Sequence, residues 1–216
     1  MDGNGRWAIK RSLSRLEGHQ AGFATAREAI IYLSELGVPC ITIFSFSTEN
    51  WKRPKDEITG LLKLLEIGLN ELSKEFYDHN IIIRHLGQQD KLPLFLRKGI
   101  NNMIEKTQSN TGTIVNVAFD YGSRTEIINA TKQMIQDHIS VKAIDEVSFE
   151  SYLSTKDLPD VDLIIRTGGE QRLSNFLLWQ AAFAELYFTD TLWPDFGRIE
   201  IDKALAEYSS RTIGKR

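Results

Sequence analysis

Residues 21–46, AGFATAREAIIYLSELGVPCITIFSF, decide the fold class, because the hydrophobic period changes part-way along them. Phe23, Ala26, Ile30, Leu33 and Leu36 recur every three to four residues, the spacing of one helix face, and Gly37 stands where a helix C-terminus favours glycine. Past Pro39, Cys40-Ile41-Thr42-Ile43-Phe44-Ser45-Phe46 is a β-branched and aromatic run of strand length that ends in the polar segment Ser47 to Arg53. The spacing predicts a helix over 21–36 and a buried strand over 40–46.

Outward from this unit the alternation continues. Asp56 to His79 carries Ile58, Leu61, Leu65, Leu69, Leu72 and Phe76 on one side, with acids in its first turn, and reads as a long amphipathic helix. Ile81 to His85, Ile114 to Phe119, Val161 to Ile165 and Leu186 to Phe188 are short apolar runs. Helical patterns cover Pro93 to Lys106, Ser123 to His138 and Ile201 to Ser210, while Gln108 to Gly112 and Ser154 to Asp160 read as surface loops. Strands alternating with helices predict an α/β domain with right-handed crossovers and a mostly parallel sheet covered on both faces. Such sheets bind ligands at the carboxyl ends of their strands.

The 216 residues fit one domain, and an apolar fraction of 42% with 25% charged residues is that of an ordinary globular protein. No apolar run approaches the roughly 20 residues a membrane span needs. With Lys+Arg 26 against Asp+Glu 29, the net charge of -3 argues against broad attraction to nucleic acid, so any polyanion must be met by a few placed arginines. The single cysteine, Cys40, excludes an internal disulfide or a zinc cluster and reads as an inert thiol in a reducing cytoplasm. The first residues are polar and glycine-rich and lack the apolar core of a signal peptide.

Four clusters carry chemistry. In Asp2-Gly3-Asn4-Gly5-Arg6-Trp7 two glycines permit close backbone approach, Arg6 can grip phosphate and Asp2 can hold a hard cation, although the same residues form a strong turn signal. Arg15-Leu16-Glu17-Gly18-His19-Gln20-Ala21-Gly22 reads as a glycine turn leading into the helix from Ala21, whose amino end would favour an anion beside Arg15 and His19. Ser47-Thr48-Glu49-Asn50-Trp51-Lys52-Arg53 crowds hydroxyls, an amide, an indole and a guanidinium at a strand end; Trp51 alone could be plain core, but Asn50 and Arg53 are harder to explain structurally. Arg166-Thr167-Gly168-Gly169-Glu170-Gln171-Arg172-Leu173-Ser174 places two arginines and a serine around a double-glycine turn, which suits bidentate contacts to a diphosphate. Neither the Walker spacing nor GxGxxG is present. Glu185, an acid inside the apolar run Ala184 to Phe188, calls for a partner or a metal.

Taken in order along essentially the whole chain, these motifs, with Gly18-His19-Gln20-Ala21-Gly22 and the later Trp193-Pro194, closely resemble those of the cis-prenyltransferase family, which includes bacterial undecaprenyl diphosphate synthases. The resemblance implies a mainly parallel sheet of about six strands flanked by helices, an apolar tunnel for the growing chain, and a homodimer. It implies Mg²⁺ as cofactor and condensation of isopentenyl diphosphate with an allylic diphosphate, farnesyl diphosphate being the family default. By similarity Asp2 binds Mg²⁺ and ionises the allylic diphosphate, and Gly3, Asn4, Gly5, Arg6, Arg15 and His19 surround its phosphates. Trp7, Ser47, Thr48, Glu49, Trp51 and Arg53 shape the substrate sites, and Asn50 helps remove the proton. Arg166, Arg172 and Ser174, with Leu173 beside them, hold isopentenyl diphosphate, and Glu185 completes the metal site from the neighbouring subunit. The helices from Ala21 and Asp56 are the expected tunnel walls, although a leucine stripe is more often ordinary core. Products leaving as long lipids imply transient, peripheral membrane contact at the tunnel mouth.

The chain also departs from the family pattern. The family has a strand ending just before the Asp motif; without it Asp2 would lie beside a free α-amino group of ordinary pKa about 8 in a fraying segment, and an upstream segment is expected to restore activity. Asp120 and Ser123 stand in a stretch, Phe119-Asp120-Tyr121-Gly122-Ser123-Arg124, that in the family reads Asn-Tyr-Gly-Gly-Arg. Arg211-Thr212-Ile213-Gly214 only partly matches the family's arginine-rich tail. Two rival readings predict different assays: a silent partner subunit of a heteromeric prenyltransferase transfers no prenyl group alone, and a generic nucleotide-binding domain binds ATP or NAD without displacement by isopentenyl diphosphate. Helical trans-type synthases need paired aspartate-rich motifs, which are not found.

Overall fold

The computed structural model describes residues 1–211, so the tail from Thr212 to Gly214 lies outside the described residues. In chain order the elements are α1 (Asn4–Ile9), α2 (Arg15–Glu35), β1 (Cys40–Ser47), α3 (Lys55–Asp78), β2 (Ile82–Leu86), α4 (Leu94–Thr107), β3 (Ile114–Tyr121), α5 (Ser123–Gln136), α6 (Glu146–Glu150), β4 (Leu163–Arg166), β5 (Glu185–Phe188) and α7 (Arg198–Ser210). The five apolar runs all become strands, and the periodic segments all become helices.

Helix α2 starts at Arg15, six residues before the expected start at Ala21. Ser14 caps it, accepting from the Glu17 N–H at 3.3 Å while the Glu17 carboxylate accepts from the Ser14 N–H at 2.7 Å. Gly18 and Gly22 therefore lie inside a helix, and the expected glycine turn before Ala21 is corrected.

The sheet is all parallel but divided. Strand β3 lies between β1 and β2, pairing Val115 with both Ile41 and Ile83, and Val117 with both Ile43 and His85. Strand β4 pairs only with β5, from Leu163 opposite Glu185 to Arg166 opposite Phe188. Where one sheet of about six strands was expected, the described residues form five, in sheets of three and two; the sheet is divided because β1 and β4 are not hydrogen-bonded to each other and instead line one cavity. One face of the larger sheet buries Ile41, Ile83 and Val115 against Ile30 of α2, Leu72 and Phe76 of α3 and Met103 of α4. Each such side chain contributes about 1.5–3 kcal/mol of transfer free energy. At the carboxyl ends Phe46 stacks on Phe119 at 4.9 Å and meets Trp51 edge-on at 5.0 Å. This aromatic layer ends the core and begins the site. Among the described residues no helix is long and apolar enough to cross a membrane.

Candidate active site

Asp2 is pinned where β4 ends. Its N–H donates to Thr167 Oγ1 at 3.0 Å, the same hydroxyl donates to its carbonyl at 3.0 Å, and the Trp193 N–H donates to that carbonyl at 3.0 Å. The expectation of a fraying, poorly placed aspartate is thereby corrected. Its carboxylate lies 3.1 Å from the Arg166 guanidinium and 3.5 Å from that of Arg6. Gly3, at φ 110°, turns the chain so that α1 begins at Asn4, and the anticipated loose turn is a short helix carrying Arg6 four residues beyond Asp2. Helix α1 rests directly on α2: a Cβ at residue 18 would collide with the Asn4 carbonyl, and one at residue 22 with the Asn4 side-chain amide. Those glycines serve helix contact, where the sequence had pointed to anion binding.

A second nest forms around Glu57, in the first turn of α3. Arg53 lies 3.0 Å from its carboxylate, His19 3.6 Å and Arg15 3.7 Å. Burial lowers the His19 pKa from its ordinary 6.5, Arg53 and Arg15 lower it further, and Glu57 opposes them. Sequence reasoning missed Glu57, whose position as an acid at a helix start is fully accounted for by the helix dipole.

Residues Thr48 to Lys52 form a 3₁₀ turn after β1. Asn50 Oδ1 accepts from the Ser47 N–H at 3.0 Å, Thr48 Oγ1 lies 3.2 Å from the Glu49 carboxylate, and Glu49 accepts from Asn175 at 2.9 Å. The Trp51 indole N–H donates to Asp120 at 2.7 Å. Across the cavity Arg166 donates to Ser174 Oγ at 2.7 Å and to the Arg172 carbonyl, and Arg172 pairs with Glu170. Asp2, Asn4, His19, Ser47, Asn50, Arg53, Arg166, Arg172, Leu173 and Ser174 thus line one end of a cavity of about 740 Å³. The same cavity is lined deeper by Leu69, Leu72 and Phe76 of α3 and Met103 of α4. Cations and hydroxyls at one end suit phosphate oxygens, and the apolar walls suit a hydrocarbon.

The sequence matches the family model described as "Putative undecaprenyl diphosphate synthase" over residues 1–214. It is 47% identical over 211 residues to an isoprenyl transferase of Fusobacterium nucleatum, with 98% of this chain and 90% of that protein covered. An isoprenyl transferase of Bacillus subtilis is 45% identical over 215 residues, with 98% and 83% covered. The chain belongs to the cis-prenyltransferase family. Among solved structures, lavandulyl diphosphate synthase from Lavandula x intermedia in complex with dimethylallyl diphosphate aligns with a TM-score of 0.95 at 36% identity, covering 99% of this chain and 94% of that one. A probable undecaprenyl diphosphate synthase from Campylobacter jejuni aligns with a TM-score of 0.80 at 37% identity, covering 90% and 91%.

Within this prenyltransferase not every expected residue reaches the cavity. Trp7 points away, its indole N–H donating to Asp195 at 2.7 Å and its ring covered by Arg11 at 4.3 Å. Glu185 begins β5 opposite Leu163, whereas Asp2 adjoins the end of β4, roughly 10 Å further along. Glu185 pairs instead with Arg211 at 2.5 Å, which supplies the partner its apolar setting required. Gly3, Gly5, Arg6, Arg15, Thr48, Glu49 and Trp51 also lie outside the cavity wall, Arg6 reaching the site through Asp2 and Arg15 only through Glu57. Of the two departures near β3, Ser123 is buried and its hydroxyl accepts from the Leu178 N–H at 3.0 Å, and Asp120 receives the Trp51 indole.

Proposed function

We propose that this prenyltransferase lengthens an allylic diphosphate, farnesyl diphosphate as primer, by condensing it with isopentenyl diphosphate. The observation that carries the reading is a carboxylate flanked by Arg166 and Arg6 at the polar end of an otherwise apolar cavity. The dimethylallyl diphosphate named with the lavandulyl diphosphate synthase structure is itself an allylic diphosphate, which supports that ligand class.

In this reading the allylic carbon–oxygen bond breaks, and its electron pair leaves with diphosphate. The double bond of isopentenyl diphosphate attacks the allylic cation, and a proton is lost to restore the alkene. Asp2 with Arg6 and Asn4 receives the allylic diphosphate, while Arg166, Arg172 and Ser174 receive isopentenyl diphosphate. Asn50 faces the cavity beside Ser47 and assists proton removal, and the apolar walls keep water from the cation. The part-exposed Asp2 carboxylate in the cavity wall fits a magnesium ion that arrives with substrate, Asp2 supplying one ligand and diphosphate oxygens others. When bound, the ion supplies charge stabilisation for the departing diphosphate.

The reading extends to a homodimer in which the partner contributes Glu185. Support comes from α5 and α6, which leave Ile135 69% and Val147 76% exposed. Peripheral membrane contact during product release is supported by exposed Ile9, Leu13 and Leu16, on and just beyond α1 next to the polar nests. Chromatography of labelled products from farnesyl and isopentenyl diphosphates with Mg²⁺ tests the function. A ladder of lengthened prenyl diphosphates is expected, and no product from the purified chain overturns the reading.

A further inference from the structure

Asp120 is a carboxylate that the prenyl-transfer reading does not use. It is the next-to-last residue of β3, lies in the left-handed region at φ 51° and is 1% exposed. Its Oδ1 accepts from the Trp51 indole N–H at 2.7 Å, and its Oδ2 has no hydrogen-bond partner among the described residues. A buried carboxylate with an unsatisfied oxygen opposes folding, and an apolar residue of similar size would oppose it less. Asp120 is absent from the wall of the apolar cavity and lines a separate one of about 490 Å³ with Gln88 and Glu126. Its side chain reaches the site by the hydrogen bond to Trp51, while its charge also acts on His85 of β2, which lines the apolar cavity.

Trp51 is held from two sides. Its ring meets Phe46 of β1 edge-on at 5.0 Å, and its N–H is fixed by Asp120 of β3. The turn that carries it is a single 3₁₀ stretch, Thr48 to Lys52, closed at its end by the Arg53 N–H donating to the Asn50 carbonyl at 3.0 Å. Short 3₁₀ turns have weak internal bonding, so an anchor from outside sets their position. The residues on either side of Trp51 and Lys52, Asn50 and Arg53, are the ones that line the cavity. We infer that Asp120 is a positioning residue: by gripping the Trp51 indole from β3 it fixes the turn that presents Asn50 and Arg53 to the substrates. The inference rests on the reading of this cavity as the prenyl-transfer site.

The experiment is a double-mutant cycle between Asp120→Leu and Trp51→Phe, with Asp120→Asn as the conservative variant. Asp120→Leu is expected to lower kcat about tenfold while KM for both diphosphates stays within about threefold, because orientation is lost and binding is not. Asp120→Asn keeps an acceptor oxygen and restores kcat to within about twofold. In the Trp51→Phe background, which lacks the donor, Asp120→Leu costs less than about twofold more. Amide hydrogen exchange over 48–53 rises in Asp120→Leu and in Trp51→Phe but not in Asp120→Asn. Losses that multiply across the cycle, or an exchange rate unchanged by Asp120→Leu, overturn the inference. Should Asp120→Leu fail to fold, exchange in Trp51→Phe decides it alone: unchanged rates overturn it and raised rates support it. Should the wild type transfer no prenyl group, the prenyl-transfer reading fails, and the exchange pattern still shows whether Asp120 holds the turn.

Discussion

Two carboxylates sit among arginines, Asp2 in the wall at the polar end of the cavity and Glu57 next to the wall residues Arg53 and His19, and their settings differ. Asp2 lies between Arg6 and Arg166, its side chain 39% exposed, on a segment tied by its backbone to Thr167 and Trp193. Glu57 lies among Arg53, His19 and Arg15, 15% exposed, on the first turn of a 24-residue helix. The main chain places Asp2 and leaves its oxygens facing the cavity, as a ligand for an incoming cation requires. Glu57 spends its oxygens on three side chains of the protein, as a counter-ion that holds a site together does. Two arginine neighbours apiece therefore do not imply equal roles; exposure and the source of positional rigidity separate them.

The largest expected effect follows from Asp2. Asp2→Ala should lower prenyl transfer by about 10³-fold, on the scale of losing a principal transition-state charge contact. Its partly exposed ion pairs contribute only about 0–1 kcal/mol each to folding, so the melting temperature should barely move. Steady-state kinetics with differential scanning calorimetry check both halves, and a large loss of stability with modest loss of rate would invert the contrast.

Next in size is the cross-subunit contribution of Glu185, which in a single chain lies far from Asp2. Glu185→Gln should lower kcat on the order of 10- to 100-fold. If Glu185 acts on the partner's Asp2, mixing the Asp2→Ala and Glu185→Gln chains rebuilds one intact site per mixed dimer. Random pairing then restores about a quarter of wild-type activity. No recovery on mixing, with subunit exchange verified by mass spectrometry, rules out the shared site. Glu57→Ala should have the smaller kinetic effect, about tenfold in kcat, but the larger structural one. Arg53, Arg15 and His19 lose a partly buried acceptor, at about 2 kcal/mol by urea denaturation.

Helices and strands were legible because they depend on period, which burial enforces; all five strands and the long α2 and α3 follow from it. What the pattern does not carry is pairing. The gap between β1 and β4 could not be read, because each edge is a short apolar run that would look the same if paired. Among the site residues, Arg166, Arg172 and Ser174 were legible as arginines and a hydroxyl on one glycine loop. Gly18 and Gly22 misled, since glycine serves helix contact and turns alike and only the Ser14–Glu17 capping box distinguishes them. Thr167 and Asp120 were illegible as site-supporting groups because their partners lie 165 and 69 residues away; Glu57 was illegible because its one near partner, Arg53, looks like an ordinary i,i+4 helix pair, while His19 lies 38 residues away.

The smallest effect probes the Glu57 nest through His19. Burial is the main reason its pKa lies below 6.5; Arg53 and Arg15 act in the same direction, and Glu57 acts against them. Because the folded value lies below the unfolded one, the neutral imidazole stabilises the fold. That contribution is present above pH 6.5 and is lost as pH falls through the folded pKa. Glu57→Gln removes the opposing charge and keeps the shape, so the His19 midpoint should fall further, and the acid loss of stability, which sets in near the unfolded value in both proteins, should be larger and extend to a lower pH. Ring-proton NMR titration of the two proteins reads this directly. A wild-type midpoint at or above 6.5, or a midpoint that rises in the variant, would mean that His19 answers to something other than this nest, and that the distinction between Asp2 as ligand and Glu57 as counter-ion is misdrawn.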